Sequence, residues 1–182
     1  MVLKKKYQTQ KDAIATYDYT DLAEGTGVIK FYCVRGELGA GATHILSTNA
    51  FLAGGDITDG DIKLHGSSMD VDFDLAPFNM PKVISGTAYL NAHAYGTGDT
   101  IAITATISKV SPAVTLGTAT GNAAAHDEGI LFPITLTKTE FKKGEVLRVN
   151  LTTAGGTNAY VSMNPLDTNG GIDIYIPFDL DI

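Results

Sequence analysis

The segment Ile172-Asp173-Ile174-Tyr175-Ile176-Pro177-Phe178-Asp179-Leu180-Asp181-Ile182 places an apolar side chain at every second position. Successive side chains of a β-strand point to opposite faces, so this alternation describes a strand with one apolar and one polar face. The apolar face reads Ile172, Ile174, Ile176, Phe178, Leu180, Ile182 and is expected in a core. Asp173, Tyr175, Asp179 and Asp181 are expected to be exposed or turned toward a sister subunit. Pro177 has no amide hydrogen for a ladder, which places it at a sheet edge or a bulge.

The same period recurs along the chain. Met69, Val71, Phe73 and Leu75 alternate with Asp70, Asp72 and Asp74, and Leu147, Val149 and Leu151 alternate with Arg148, Asn150 and Thr152. Ile101, Ile103, Ala105 and Ile107 alternate with small and hydroxylated residues. Short runs of β-branched and aromatic residues, punctuated by Gly, Asp, Asn and Pro, predict strands near 27–35, 44–48, 61–64, 69–75, 83–94, 100–110, 113–119, 130–137, 146–153, 159–163 and 172–180. Strands at this spacing without a helical period point to an antiparallel sandwich or barrel, and the lack of crossover helices excludes a parallel α/β fold. Gly96-Thr97-Gly98-Asp99 and Thr153-Ala154-Gly155-Gly156-Thr157-Asn158 read as hairpin turns, and Gly144 suits a left-handed position before a strand. Residues 117–129, rich in Gly, Ala and Asn, read as an exposed loop. Residues 1–26 lack a period and read as an extended arm ahead of one sandwich domain, 27–182.

Composition narrows the partners. At 182 residues the chain fits one domain, and 44% hydrophobic residues suffice for a sizeable core. Charged residues make up only 18%, against about 25% in soluble domains generally. Either neighbouring subunits cover a neutral surface, or outer strand faces simply carry Thr, Ser and Asn. A net charge of −7 argues against general nucleic-acid binding. No apolar run is long enough for a transmembrane helix, so no membrane partner is expected, and the polar stretch after Lys4-Lys5-Lys6 does not fit a secretory signal. The single Cys33 offers no intrachain disulfide and suits synthesis in a reducing cytosol.

Candidate chemistry is sparse. Asp70, Asp72 and Asp74 share one strand face, as a carboxylate cation site or as a solvated face, and strand spacing spreads them ~6.5 Å apart. Asp56, Asp59 and Asp61 sit on a turn of better cation geometry without calcium-loop order. The four histidines, His44, His65, His93 and His126, show no ligand spacing, and Cys33 reads as a core residue. Gly66-Ser67-Ser68 and Ile84-Ser85-Gly86 are not nucleophile elbows. No catalytic constellation emerges, so the expectation is a protein without enzymatic activity, cofactor or metal. Lys4, Lys5, Lys6 and Tyr7 are the candidate partner-binding residues: a solvated tail, or an arm that orders on an acidic neighbour such as a second copy of this chain.

Three segments together carry a family resemblance: Phe78-Asn79-Met80-Pro81-Lys82 before Ile84-Ser85-Gly86-Thr87-Ala88-Tyr89-Leu90-Asn91, Thr139-Glu140-Phe141-Lys142-Lys143-Gly144-Glu145-Val146-Leu147-Arg148-Val149, and Ile174-Tyr175-Ile176-Pro177-Phe178-Asp179-Leu180. The set resembles jelly-roll decoration (cement) proteins of tailed bacteriophages. The resemblance implies a jelly-roll sandwich and a homotrimer on the capsid surface. It also implies synthesis in the host bacterial cytoplasm and binding across junctions of the major capsid protein. It assigns no capsid-binding residue. The alternative is a carbohydrate- or receptor-binding module of a tail fibre or baseplate, for which Tyr95 and Tyr160 are the nominated aromatics.

Overall fold

β-Branched and aromatic residues pack well on a pleated surface, and the chain follows that preference throughout. A computed structural model describes residues 27–35, 44–50, 63–65, 70–96, 100–124, 128–155, 159–162 and 171–180. Its strands are β1 (Gly27–Arg35), β2 (His44–Ser47), β3 (Lys63–His65), β4 (Asp70–Leu75), β5 (Lys82–Gly96), β6 (Thr100–Lys109), β7 (Val114–Ala124), β8 (Glu128–Phe141), β9 (Leu147–Gly155), β10 (Ala159–Ser162) and β11 (Asp173–Leu180). Every predicted strand is present, and there is no helix among the described residues.

The protein is an all-β sandwich of jelly-roll type. Its hydrogen-bonded path runs β8-β5-β11-β1-β2-β4-β9-β6-β7, with β10 and then β3 continuing beside the far end of β5. Pairing is antiparallel except between β2 and β4, where Ile45 and Leu46 lie parallel to Asp74 and Leu75. The expected antiparallel order is thus broken at one short junction.

The two ends of the path, β7 and β8, lie against each other with no backbone ladder between them. A Cβ on Gly117 would stand 2.3 Å from the Thr135 carbonyl oxygen, and one on Gly121 would stand 2.3 Å from the Phe132 ring. Only side-chain-free positions permit that approach. The expected loop at 117–129 is therefore corrected: most of it is strand, and its glycines, which read as turn residues, are small because the seam is tight.

The closing strand behaves as its period requires. Ile172, Ile174 and Ile176 are fully buried, Phe178 nearly so, and all join one contiguous core with Ile101, Ile103, Ile107, Leu147 and Leu151. Pro177 lies inside the sheet, between β1 and β5, so the alternative of an edge is excluded in favour of a bulge. The β11–β5 register shifts between Tyr175 and Phe178, and the β5–β8 register shifts between Ile84 and Gly86, where β8 carries the extra residue opposite Ser85; the φ of Gly86 is +99°. An added Cβ at Gly86 would sit 3.7 Å from the Pro177 ring. The two irregularities face each other and kink the sheet together.

The three segments that carry the family resemblance meet at one end of the sandwich. Phe78 packs edge-to-face on Phe141 at 5.1 Å and on Phe178 at 6.0 Å, and Phe178 packs on Phe31 at 5.9 Å. The Gly144 amide donates to the Phe78 carbonyl at 2.8 Å, and the Phe78 amide donates to the Glu145 carbonyl at 3.1 Å. Gly144 holds φ +86° to allow this. These residue types recur because they build a packed sandwich end.

At the same end the buried Lys109 ammonium pairs with Glu145, donates to the Glu140 carbonyl at 3.0 Å and stands 5.3 Å from the Phe141 ring centre. The hydrogen bond from Lys109, with another from the Lys142 amide, holds the Glu145 carboxyl below its ordinary 4.5. A lowered folded value contributes stability above 4.5 that is lost as pH falls through it. Melting temperatures of wild type and Glu145→Gln, measured from neutral pH downward, should therefore differ at first and converge below pH 4.5. A gap that stays constant into acid would contradict this.

Candidate functional site

Four strands, β1, β11, β5 and β8, set their outward residues in two rows. Register places Tyr32, Asp173, Asn91 and Leu131 across one row, and Lys30, Tyr175, Tyr89 and Pro133 across the next. Val28 follows on β1 beside Pro177. Outward positions of a sandwich are ordinarily polar, yet Val28 is 63% exposed, Leu131 66% and Tyr89 44%. With Tyr175 and Asn91 they line a shallow depression of about 420 Å³. Aromatic and aliphatic side chains held open on a rigid sheet are the composition of an interface core.

An ion pair anchors the grid. The Lys30 ammonium lies 2.9 Å from Asp173 Oδ2, with the Tyr32 and Tyr175 ring centres at 4.6 and 5.5 Å. Both rings are within cation–π range. Burial by itself would lower the Lys30 pKa, but the hydrogen bonds and charges of Asp173 and the Tyr175 hydroxyl outweigh it and raise the ammonium above its ordinary value. The Asn91 side-chain amide also donates to Asp173 Oδ2, at 3.4 Å. Asp173 is therefore buried, which corrects the expectation of an exposed carboxylate; its row neighbours and Lys30 cover it. Asp179 is exposed and Tyr175 half-buried, as their face requires.

The remaining candidates divide. Lys4, Lys5, Lys6 and Tyr7 lie outside the described residues, as do Asp56, Asp59, Asp61 and His126. Asp70, Asp72 and Asp74 share one face but serve the sheet. Arg148 grips Asp74 with two nitrogens, at 2.7 and 2.8 Å, and reaches Asp72 at 2.5 Å, while Asn150 bonds Asp70 and Asp72. Cross-strand register explains the pattern, since Arg148 faces Asp74 and Asn150 faces Asp72. Among the described residues no group of three His, Cys, Asp or Glu could hold a metal. His44 packs edge-to-face on Phe73 at 5.3 Å, and His93 is half-buried within β5 with contacts of its own. Cys33 is fully buried, and burial, followed by the charge of Asp173, pushes its thiol pKa up, away from reactivity. Tyr95 and Tyr160 are backbone register partners in the β5–β10 ladder.

Sequence reasoning missed the grid. A usable signal was present in Ile130-Leu131-Phe132: three consecutive apolar residues on a strand must turn the middle one away from its neighbours. Ile130 and Phe132 are buried and Leu131 is exposed.

No protein-family model matches the chain, and no curated protein matches it. Solved structures do. A CocE/NonD family hydrolase from Staphylococcus aureus aligns over 85% of this chain at 12% identity and a TM-score of 0.56. An aminopeptidase from a marine-sediment thaumarchaeon aligns over 60% at 10% identity and 0.46, and an α-amino acid ester hydrolase over 61% at 11% and 0.40. The chain spans 37%, 25% and 24% of their lengths. The first shares the fold; the other two carry no argument. The expectation of a protein without enzymatic activity is corrected by the first of these, since the fold occurs there in a hydrolase, as part of a longer chain. A motif scan reads residues adjacent in sequence, whereas hydrolytic sites assemble residues distant in sequence, so that expectation lacked a basis.

Proposed function

We propose that the chain is a virion structural protein of the tailed-phage decoration type, docking through the outward grid of β1, β11, β5 and β8. The observation that carries this reading is the exposure of Val28, Tyr89 and Leu131 around the Lys30–Asp173 pair, on a sheet whose other face contributes to the core. A rigid apolar centre with a charged pair beside it suits protein partners, here other copies of the chain in a homotrimer and the major capsid protein. The capsid surface is the proposed location, with Lys4, Lys5, Lys6 and Tyr7 as a second tie to neighbours.

Light scattering after size exclusion should find a trimer at micromolar concentration, and Leu131→Asp should release monomers and lower occupancy on undecorated heads. Because Leu131 points outward, its melting temperature should stay within a few degrees. A wild-type monomer, or full occupancy by Leu131→Asp, would overturn the reading. The fold likeness to the CocE/NonD hydrolase favours a second reading, an all-β part of a hydrolase. Ester hydrolysis by the purified chain above the buffer rate would favour that one.

A further inference from the structure

A sandwich interior holds apolar side chains, so a lysine on the inner face needs a physical reason. Lys82 stands two residues before the fully buried Ile84 and points to the same side. The residue is 7% exposed, and its ammonium lies 5.7 Å from the Phe178 ring centre. A cavity of about 280 Å³ opens at this point, where the ends of β1, β2, β5 and β11 meet the segment 75–79. Phe31, Leu46, Leu75, Phe78 and Phe178 form its apolar walls. Ser47, Thr48, Asn79 and Lys82 supply its polar groups.

We propose that this cavity binds a short aliphatic carboxylate, with the carboxylate at Lys82, Ser47 and Asn79 and the chain among the phenylalanines. An ammonium donates up to three hydrogen bonds, so Lys82 can serve a ligand beside its contacts within the chain. Charge-assisted bonds to a carboxylate are the strong kind. Size limits the ligand. The volume lies just below the ~300 Å³ lower end of small-molecule sites, which fits an acid of about eight carbons and excludes long lipids. This inference is independent of the docking grid, which lies on the outward face.

Calorimetric titration of the full chain with octanoate, octan-1-ol and N-acetyl-leucine tests it. Octanoate is expected to bind, and Lys82→Met should weaken it about tenfold while leaving octan-1-ol within about twofold. N-acetyl-leucine separates a peptide end from a free acid: binding of either carboxylate that depends on Lys82 supports the site. Failure of both to bind, or equal octanoate affinity in Lys82→Met, overturns the proposal. Should Lys82→Met not fold, Ala76→Trp serves in its place. Ala76 lines the cavity and is exposed, so the indole should block octanoate while the melting curve is kept; octanoate binding undiminished in a folded Ala76→Trp also overturns the proposal.

Discussion

Gly117→Ala should lower stability by about 3 kcal/mol, and the melting temperature by roughly 6–12 °C for a chain of this size. The added Cβ would stand 2.3 Å from the Thr135 carbonyl oxygen, 3.1 Å from a Leu136 methyl and 3.2 Å from an Ile134 methyl. The methyls can rotate away; a carbonyl locked in the β8–β5 ladder cannot, so β7 must move off β8. Gly121→Ala should behave similarly, with the Phe132 ring as obstacle. Gly129→Ala is the internal control, since nothing lies within 4 Å of its added Cβ, and it should stay within about 0.5 kcal/mol of wild type. Thermal unfolding of the three variants decides the matter, and a Gly117→Ala curve that overlays Gly129→Ala would refute the seam.

Phe178→Ala should be costlier still, about 4 kcal/mol, as for other fully buried aromatic truncations. Phe178 is 2% exposed and contacts the Phe31 and Phe78 rings, joining the closing strand to β1 and to the segment after β4. Each edge-to-face pair is worth ~0.5–1.5 kcal/mol beyond burial, and the alanine leaves a void that close-packed neighbours fill poorly. Denaturant midpoints report the loss; Phe178→Leu should recover more than half of it. A cost below that of an ordinary surface substitution would mean that the end cluster is not cooperative with the core.

Much of the fold was legible because a strand writes its burial into the chain with a period of two. Ile101 to Ile107, Leu147 to Leu151 and Ile172 to Phe178 all alternated in sequence and all are buried in structure. At Pro177 the missing amide hydrogen left an edge or a bulge open, and only the neighbouring strands β1 and β5 decided for the bulge. Residues 120–124 were misread because small residues signal turns and close strand contacts alike, and only the partner strand distinguishes them. Asp173 was misread for a related reason: alternation assigns it to the outer face correctly, while its cover comes from Tyr32, Asn91 and Lys30 on other strands.

The functional face shows the same division. Alternation in β4 and β9 placed Asp70, Asp72 and Asp74 together, but the choice between a cation site and a sheet network depended on Arg148 and Asn150, more than seventy residues away. Likewise no local pattern brings Val28, Tyr89, Leu131 and Tyr175 to one depression, or Lys82 to a cavity walled by Phe31, Leu46 and Phe178. By itself the sequence determined an all-β chain, the strand positions, and which face of each alternating strand is buried, because those follow from local backbone geometry and side-chain polarity. The tertiary structure alone decided the pairing order, the glycine seam between β7 and β8, and the sites on both faces. Strand partners are chosen by contacts between distant segments, and a site is made of whatever those partners bring together.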